Sequence, residues 1–252
     1  MTLQSLTRWK AFGIHLAISA LLALIVVTLV VVVWYPRPYF SAMGGEVLLR
    51  LLIGVDVALG PLLTLIVFDP AKPRLKYDLA VIAVLQLAAL AYGGMVMFEA
   101  RPVYTVFVKN RFDTVAANTI DAGALGRAAR EFQTLPLSGP RVVAAHLPTD
   151  PQEQINIGLD AAAGGPDVAN LPYLYEPYAQ ESGHAASVAR PLVGLARRDR
   201  NAADQVSAFV ATHGGETRSL GYVPVKARNR DFAAVLDRKT GEIVGYLAIS
   251  PW

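Results

Sequence analysis

The 252-residue sequence contains no cysteine, which excludes disulfides and thiolate chemistry. A chain without cysteine suits an oxidising compartment but does not require one. Charge is also scarce. Asp, Glu, Lys and Arg make up 17% of the residues, against about 25% in ordinary soluble domains. With 54% hydrophobic residues and a mean hydropathy of +0.38, the chain is too apolar to be wholly soluble. The shortage of charge is local: residues 11–34 and 79–98 carry none, and residues 51–68 carry only Asp56. From Arg101 onward charges are frequent, 16 basic against 15 acidic, so the C-terminal part is nearly neutral. That balance argues against a nucleic-acid-binding surface. Phosphate-cradling glycine loops and metal-ligand spacings are absent as well, and only four histidines are available to build a site.

What is present is three long apolar runs. A membrane-crossing helix takes roughly 20 apolar residues to traverse a hydrocarbon core of about 30 Å. Residues 12–34, 48–68 and 79–98 each meet that length. In lipid the backbone must bond within its own segment, so helix is expected even for the valine-rich run 30–33. Trp9, Trp34, Tyr35, Tyr39 and Tyr77 flank the runs, where amphipathic rings favour the membrane interface. Arg8 and Lys10 precede the first run, and Lys72, Arg74 and Lys76 fill the loop before the third. The excess of basic residues on cytoplasmic loops then puts both of these inside and everything after Phe98 outside. In a bacterium that means a multi-pass inner-membrane protein with a periplasmic C-terminal domain. A cleaved signal peptide is the rival for the first run. The run is too long for that, and Trp34-Tyr35-Pro36-Arg37-Pro38 is no small-residue cleavage site.

Polar residues inside these runs are the candidate contacts. Asp56 falls near the middle of the second run and Gln86 near the middle of the third. An ionised carboxylate at that depth costs several kcal/mol unless neutralised or partnered. Two readings stay open: a docking point for a partner helix, or a protonated Asp56 bonded to Gln86 or to a backbone carbonyl. His15 in the first run is a third polar candidate, and Arg50 is expected to reach toward the outer interface. Gly60-Pro61 should loosen the second helix, and Gly93-Gly94 should permit close approach of the third. There is no inverted repeat or pair of broken helices, which argues against a transporter.

Residues 101–252 read as one mixed domain with its own core, an α+β fold with an antiparallel sheet. Strands are expected at 103–108, 112–117 and 141–145, with a closing hairpin of 232–236 and 243–249 about a turn at 237–241. Helices are expected at 122–132 behind Asp121, at 151–162 behind Asp150, at 181–189, and at 201–212 stopped by Gly214-Gly215. His146 with Asp150, and Ser182 with His184, come nearest to catalytic pairs, but neither has the spacing of a nucleophile site or metal site. Tyr173, Tyr175 and Tyr178 lie in a proline-rich stretch that reads as an exposed loop. It is either a protein-binding surface or a loop packed on its own sheet.

Several stretches resemble the type IV pilin accessory proteins of the TfpX/TfpZ kind. They are Lys10-Ala11-Phe12-Gly13-Ile14-His15-Leu16, Trp34-Tyr35-Pro36, Gly54-Val55-Asp56-Val57-Ala58-Leu59-Gly60-Pro61-Leu62-Leu63-Thr64, Leu75-Lys76-Tyr77-Asp78-Leu79, Ala100-Arg101-Pro102-Val103-Tyr104, and Asp237 through Gly241 with Pro251-Trp252. The resemblance implies a non-enzymatic, chaperone-like inner-membrane protein without a cofactor, dedicated to one major type IV pilin and acting on its stability or its entry into the pilus. Asp56, Gln86 and His15 within the membrane, and Tyr173, Tyr175 and Tyr178 outside it, are then the candidate pilin contacts, chosen by depth and chemistry. A membrane-anchored sensor or ligand-binding protein is the competing class, and a structural subunit of a larger envelope machine is a third.

Overall fold

The computed structural model describes residues 6–213 and 217–252, so the Gly214-Gly215 helix stop expected above lies outside the described residues. The chain divides into two compact units. One joins residues up to Val33 with Gly45–Glu99; the other joins Trp34–Gly44 with Ala100–Trp252.

The first unit consists of three helices long and apolar enough to cross a membrane: α1 (Arg8–Trp34), α2 (Gly45–Val67) and α3 (Leu75–Glu99). Thr7 caps α1 by accepting from the Lys10 amide. Helix α1 packs along α2, and α2 along α3. Most of the large aliphatic side chains point outward, among them Leu21, Leu51, Ile66 and Leu85. An all-round apolar helix with its aliphatic side turned out is what lipid requires and water forbids. Helix α2 is not uniform. Residues Gly54–Leu59 widen into a π-helical turn immediately before Gly60-Pro61. Pro61 has no N–H to offer, and its ring crowds the carbonyl one turn back, so a local change of helical pitch before it is the expected accommodation.

The second unit is built on an eight-stranded sheet: β1 (Pro102–Val108), β2 (Arg111–Ala116), β3 (Arg141–Ala145), β4 (Tyr175–Pro177), β5 (Arg190–Pro191), β6 (Leu220–Lys226), β7 (Phe232–Asp237) and β8 (Ile243–Leu247). The spatial order is β4-β3-β1-β2-β6-β7-β8, with the two-residue β5 also against β6. The sheet is mixed rather than antiparallel, which corrects the expectation. Strand β1 runs parallel to β3, and β2 parallel to β6. Hairpins advertise themselves in sequence by a short turn. Parallel pairs need long crossovers, which carry no local signal of which strand they rejoin.

Both sheet faces are covered. Val106, Val115 and Val143 on one face meet Phe132, Ile157, Leu171 and Leu174. Farther along the same face, Tyr222, Ala233 and Val235 meet Leu192, Leu195, Val206 and Phe209. Phe107, Phe112, Val223, Phe232 and Leu236 form the opposite face. The covering helices are α4 (Pro151–Ala162), α5 (Tyr178–Val188) and α6 (Arg200–His213). Asp150 caps α4 ahead of its first-turn proline. Asp121 caps as expected, but its helix stops at Gly126 and gives way to a 3-10 turn, Arg130–Phe132, that carries Phe132 into the core. The closing hairpin turns at Asp237, whose carboxylate accepts from the Lys239 and Thr240 amides. Gly241 sits there at φ +73°, and a Cβ on it would strike the Ser182 backbone. Only glycine meets both demands.

Trp34–Gly44 joins this domain rather than standing as a loop between two helices. Tyr35 and Tyr39 are buried in protein, 1% and 3% exposed, and so are not the interfacial rings expected from their position. The Tyr39 hydroxyl bonds Thr105 Oγ1 at 2.8 Å, and its ring meets Phe232 and Tyr246 edge-on. Ala42 O accepts the Asn229 and Arg230 amides, locking the segment onto the β6–β7 loop.

Candidate functional site

The buried polar residues of the helical unit, among the described residues, are Ser19, Asp56, Thr64 and Gln86. Asp56 lies in the widened turn of α2, opposite Gln86 on α3. Gln86 Nε2 donates to the Asp56 backbone carbonyl at 3.0 Å and to Asp56 Oδ1 at 3.1 Å. A backbone carbonyl only accepts, so the first bond fixes which way the amide faces. Both amide hydrogens are then used. Asp56 Oδ2 and Gln86 Oε1 are left buried with no hydrogen-bond partner. Each such buried orphan costs about 1–3 kcal/mol.

The local sequence explains how the pair fits. Gly60 is one turn beyond Asp56 on the same face of α2. A Cβ at Gly60 would overlap the Gln86 amide, so the glycine is the space the glutamine occupies. Gly93 plays the same part for Leu52, which its Cβ would strike. Between α2 and α3 lies a cavity of about 280 Å³ lined by Leu52, Val55, Asp56, Gln86, Leu90 and Gly93. His15 is elsewhere. Its Nδ1 is 2.6 Å from Thr64 Oγ1, an α1–α2 bond outside that cavity lining. The three polar residues singled out in sequence thus separate into one pair and one histidine bonded to threonine. Sequence reading took Gly60 only as loosening the helix with Pro61, and missed it as the space for Gln86. Its spacing of four from Asp56 was the available signal.

Of the two readings left open for the tyrosines, the structure shows the stretch packed on its own sheet. Tyr175 is 5% exposed, with its hydroxyl on Ala169 O at 2.5 Å and its ring against Tyr104 and Phe132. Tyr178 donates to Gly241 O at 2.6 Å, tying α5 to the closing turn. Burial holds both phenols well above their ordinary range. Tyr173 is partly exposed, with the Arg127 guanidinium 4.0 Å from its ring centre. The stretch therefore packs on its own sheet, and residues 175–177 pair with β3.

The nearest catalytic pairs do not assemble. Ser182 Oγ donates to Ala179 O, and His184 Nδ1 bonds Glu181 at 2.9 Å. His146 is exposed, while Asp150 is occupied capping α4. A recess of about 490 Å³ in the sheet domain is lined by Asp113, Thr114, Asp167, Asn170, Lys226 and Arg228. Burial raises the Asp113 carboxyl above its usual range, opposed by the Arg111 guanidinium at 3.0 Å.

Over most of its length, the chain is similar to fimbrial assembly proteins. It is 32% identical over 234 residues to the fimbrial assembly protein of serogroup I from Dichelobacter nodosus, covering 91% of this chain and 90% of that one. The chain belongs to the fimbrial assembly protein family. The serogroup E1 fimbrial assembly protein of the same organism is 36% identical over 186 residues, 73% of this chain and 72% of that one. The family profile described as fimbrial assembly protein FimB matches residues 4–44. In this family member that stretch holds α1 and the Tyr35–Tyr39 insertion. No solved structure matches the chain.

Proposed function

We propose that the protein is a non-enzymatic pilin accessory factor of the inner membrane, binding and stabilising one cognate pilin and promoting its entry into the pilus. Similarity to a fimbrial assembly protein over 91% of the chain carries the reading. Three apolar helices with a buried polar pair, in one chain with a folded sheet domain, suit a partner that has both a membrane helix and a soluble head. On this reading the helical unit shelters the pilin's apolar helix and the sheet domain, in the periplasm, meets its head. The basic flanks Arg8, Lys10, Lys72, Arg74 and Lys76 support that orientation.

Two experiments test it. Gentle solubilisation and affinity capture of the full chain should recover the pilin of the same organism, and deleting the gene should lower pilin level or pilus number. Absence of pilin even after cross-linking, with normal piliation in the deletion strain, would sink the proposal. The orientation is checked with single introduced cysteines, made clean by the cysteine-free background. Arg230→Cys should react with a membrane-impermeant maleimide once the outer membrane is opened, and Arg74→Cys should react only after lysis. The reverse pattern would invert the topology.

The ligand-binding alternative is favoured by one observation, the polar recess around Asp113, Asp167 and Arg228. It predicts that Asp167→Ala with Arg228→Ala would abolish function while pilin capture persists.

A further inference from the structure

The loop from β6 to β7, Lys226-Ala227-Arg228-Asn229-Arg230-Asp231, exposes three cations within six residues. Its one carboxylate is occupied: Asp231 Oδ1 accepts the Ala227 amide, and Oδ2 accepts the Trp252 indole N–H at 2.6 Å. Arg37, on the Trp34–Gly44 segment to which this loop is bonded, is a fourth exposed cation. Among the described residues none of the four makes an ion pair. The chain from Arg101 onward is nearly neutral, so the excess belongs to this one place.

Chain connectivity says what the cations meet. Trp34 ends α1 and Gly45 begins α2, so the ten residues between two consecutive crossings lie at one face of the bilayer. The loop is held to that connector. Ala42 O accepts the Asn229 and Arg230 amides, and Asn229 Nδ2 donates to Ser41 O at 3.3 Å. Ala42 is three residues before Gly45, and three residues of chain span at most roughly 10 Å. The cations are therefore tethered within reach of lipid headgroups. Trp252, 52% exposed and bonded to Asp231, adds an amphipathic ring of the kind favoured at that depth. Two recesses of the sheet domain frame the loop, and each joins it to the connector. One is lined by Met43, Lys226 and Arg228, the other, of about 420 Å³, by Ser41, Arg230 and Ser250.

We propose that the β6–β7 loop, with Arg37 and Trp252, is a docking face for anionic phospholipid headgroups, which rests the sheet domain on the bilayer that α1 and α2 cross. The inference requires that those helices span the membrane. It holds for either orientation and whatever protein partner is bound.

The test reconstitutes the full chain into phosphatidylcholine vesicles with increasing phosphatidylglycerol and a trace of lipid carrying a quencher on its headgroup. A fluorophore on Ser250→Cys, in the cysteine-free chain, reports on the loop without altering a cation. Quenching should rise with phosphatidylglycerol and fall back at high salt, which screens exposed charges. Each cation near an anionic surface contributes about 1 kcal/mol, or about fivefold. Arg230→Gln should therefore raise the phosphatidylglycerol fraction at half-maximal quenching about fivefold. Lys226→Gln, Arg228→Gln and Arg230→Gln together should abolish the dependence. Lys239→Gln, at the far end of β7 and about 20 Å of strand from the loop, should leave it unchanged. The salt series uses the unaltered loop, so it decides the matter even if the triple variant folds poorly. Quenching indifferent to phosphatidylglycerol overturns the proposal, as does a dependence lost equally with Lys239→Gln. A dependence abolished by soluble glycerol phosphate at matched ionic strength also overturns it, in favour of a small-anion site. Quenching that needs added pilin instead of phosphatidylglycerol assigns the cations to an acidic protein surface and overturns it too. A chain that alkaline carbonate strips from the vesicles sinks the membrane-spanning reading as well. One that stays inserted and ignores phosphatidylglycerol sinks this face alone.

Discussion

The two units treat buried polar groups differently. In the sheet domain Tyr39 and Thr105 bond each other, Tyr175 bonds Ala169 O, Tyr178 bonds Gly241 O, and the Arg101 guanidinium bonds Pro136 O. Thr114 Oγ1 is the exception. In the helical unit the principal polar pair satisfies two of its hydrogen-bonding atoms and leaves two oxygens open. A domain that stands alone has closed its polar accounts, because an orphan in a packed core lowers stability with nothing to offset it. The pair in the apolar helices is instead buried with half of its side-chain polar atoms unsatisfied.

That contrast predicts an ordered series of effects. Tyr39→Ala should cost the sheet domain about 3–5 kcal/mol, because it empties a site among Phe232, Tyr246 and Thr105. The denaturant midpoint of the detergent-solubilised chain would measure it. A cost under about 1 kcal/mol would mean that Trp34–Gly44 is an appendage. Gly241→Ala should cost about 2 kcal/mol or more through its positive φ and the Ser182 contact, read by the same melt. Tyr175→Phe, which leaves Ala169 O unbonded, should cost about 1–2 kcal/mol. Asp56→Leu should change thermal stability by less than about 1 kcal/mol, because bonds between membrane helices average about 0.6 kcal/mol and one orphan disappears with the carboxyl. Its pilin recovery should nevertheless fall sharply. A stability loss above about 3 kcal/mol would break the comparison and make the pair an internal lock.

Sequence reading went furthest where the signal was local. The three apolar runs became α1–α3, helix Pro151–Ala162 began at its aspartate cap, and the closing hairpin formed about Asp237–Gly241. Strand β6 escaped because Pro224 interrupts its run, and proline usually demotes a central strand. The structure shows how it is tolerated. Pro224 falls between Gly221 and Tyr222, which pair with β5, and Val225 and Lys226, which pair with β2. Pro224 thus sits at a gap in the pairing on that edge, while on the other edge it stays opposite Ala233 of β7. Tyr35 and Tyr39 were misplaced, and Tyr175 was left between two readings, for a different reason. An aromatic beside an apolar run or between prolines has the composition of an interface or a loop, and only long-range packing reveals it as core. The Asp56–Gln86 bond was among the sequence readings, since both residues fall near mid-run. The empty half of the pair was not legible, because it depends on which way an amide faces.

The Trp34–Gly44 insertion also sets an order of assembly during synthesis. Tyr39 leaves the ribosome long before Phe232 and Tyr246, the rings it packs against. At bacterial elongation rates of about 5–20 residues per second, that interval is roughly 10–40 s. Throughout it a short aromatic segment waits, its neighbours in the sheet not yet made. The domain is therefore finished from both ends of the gene, and a fragment cut at residue 100 would be born without one of its core side chains.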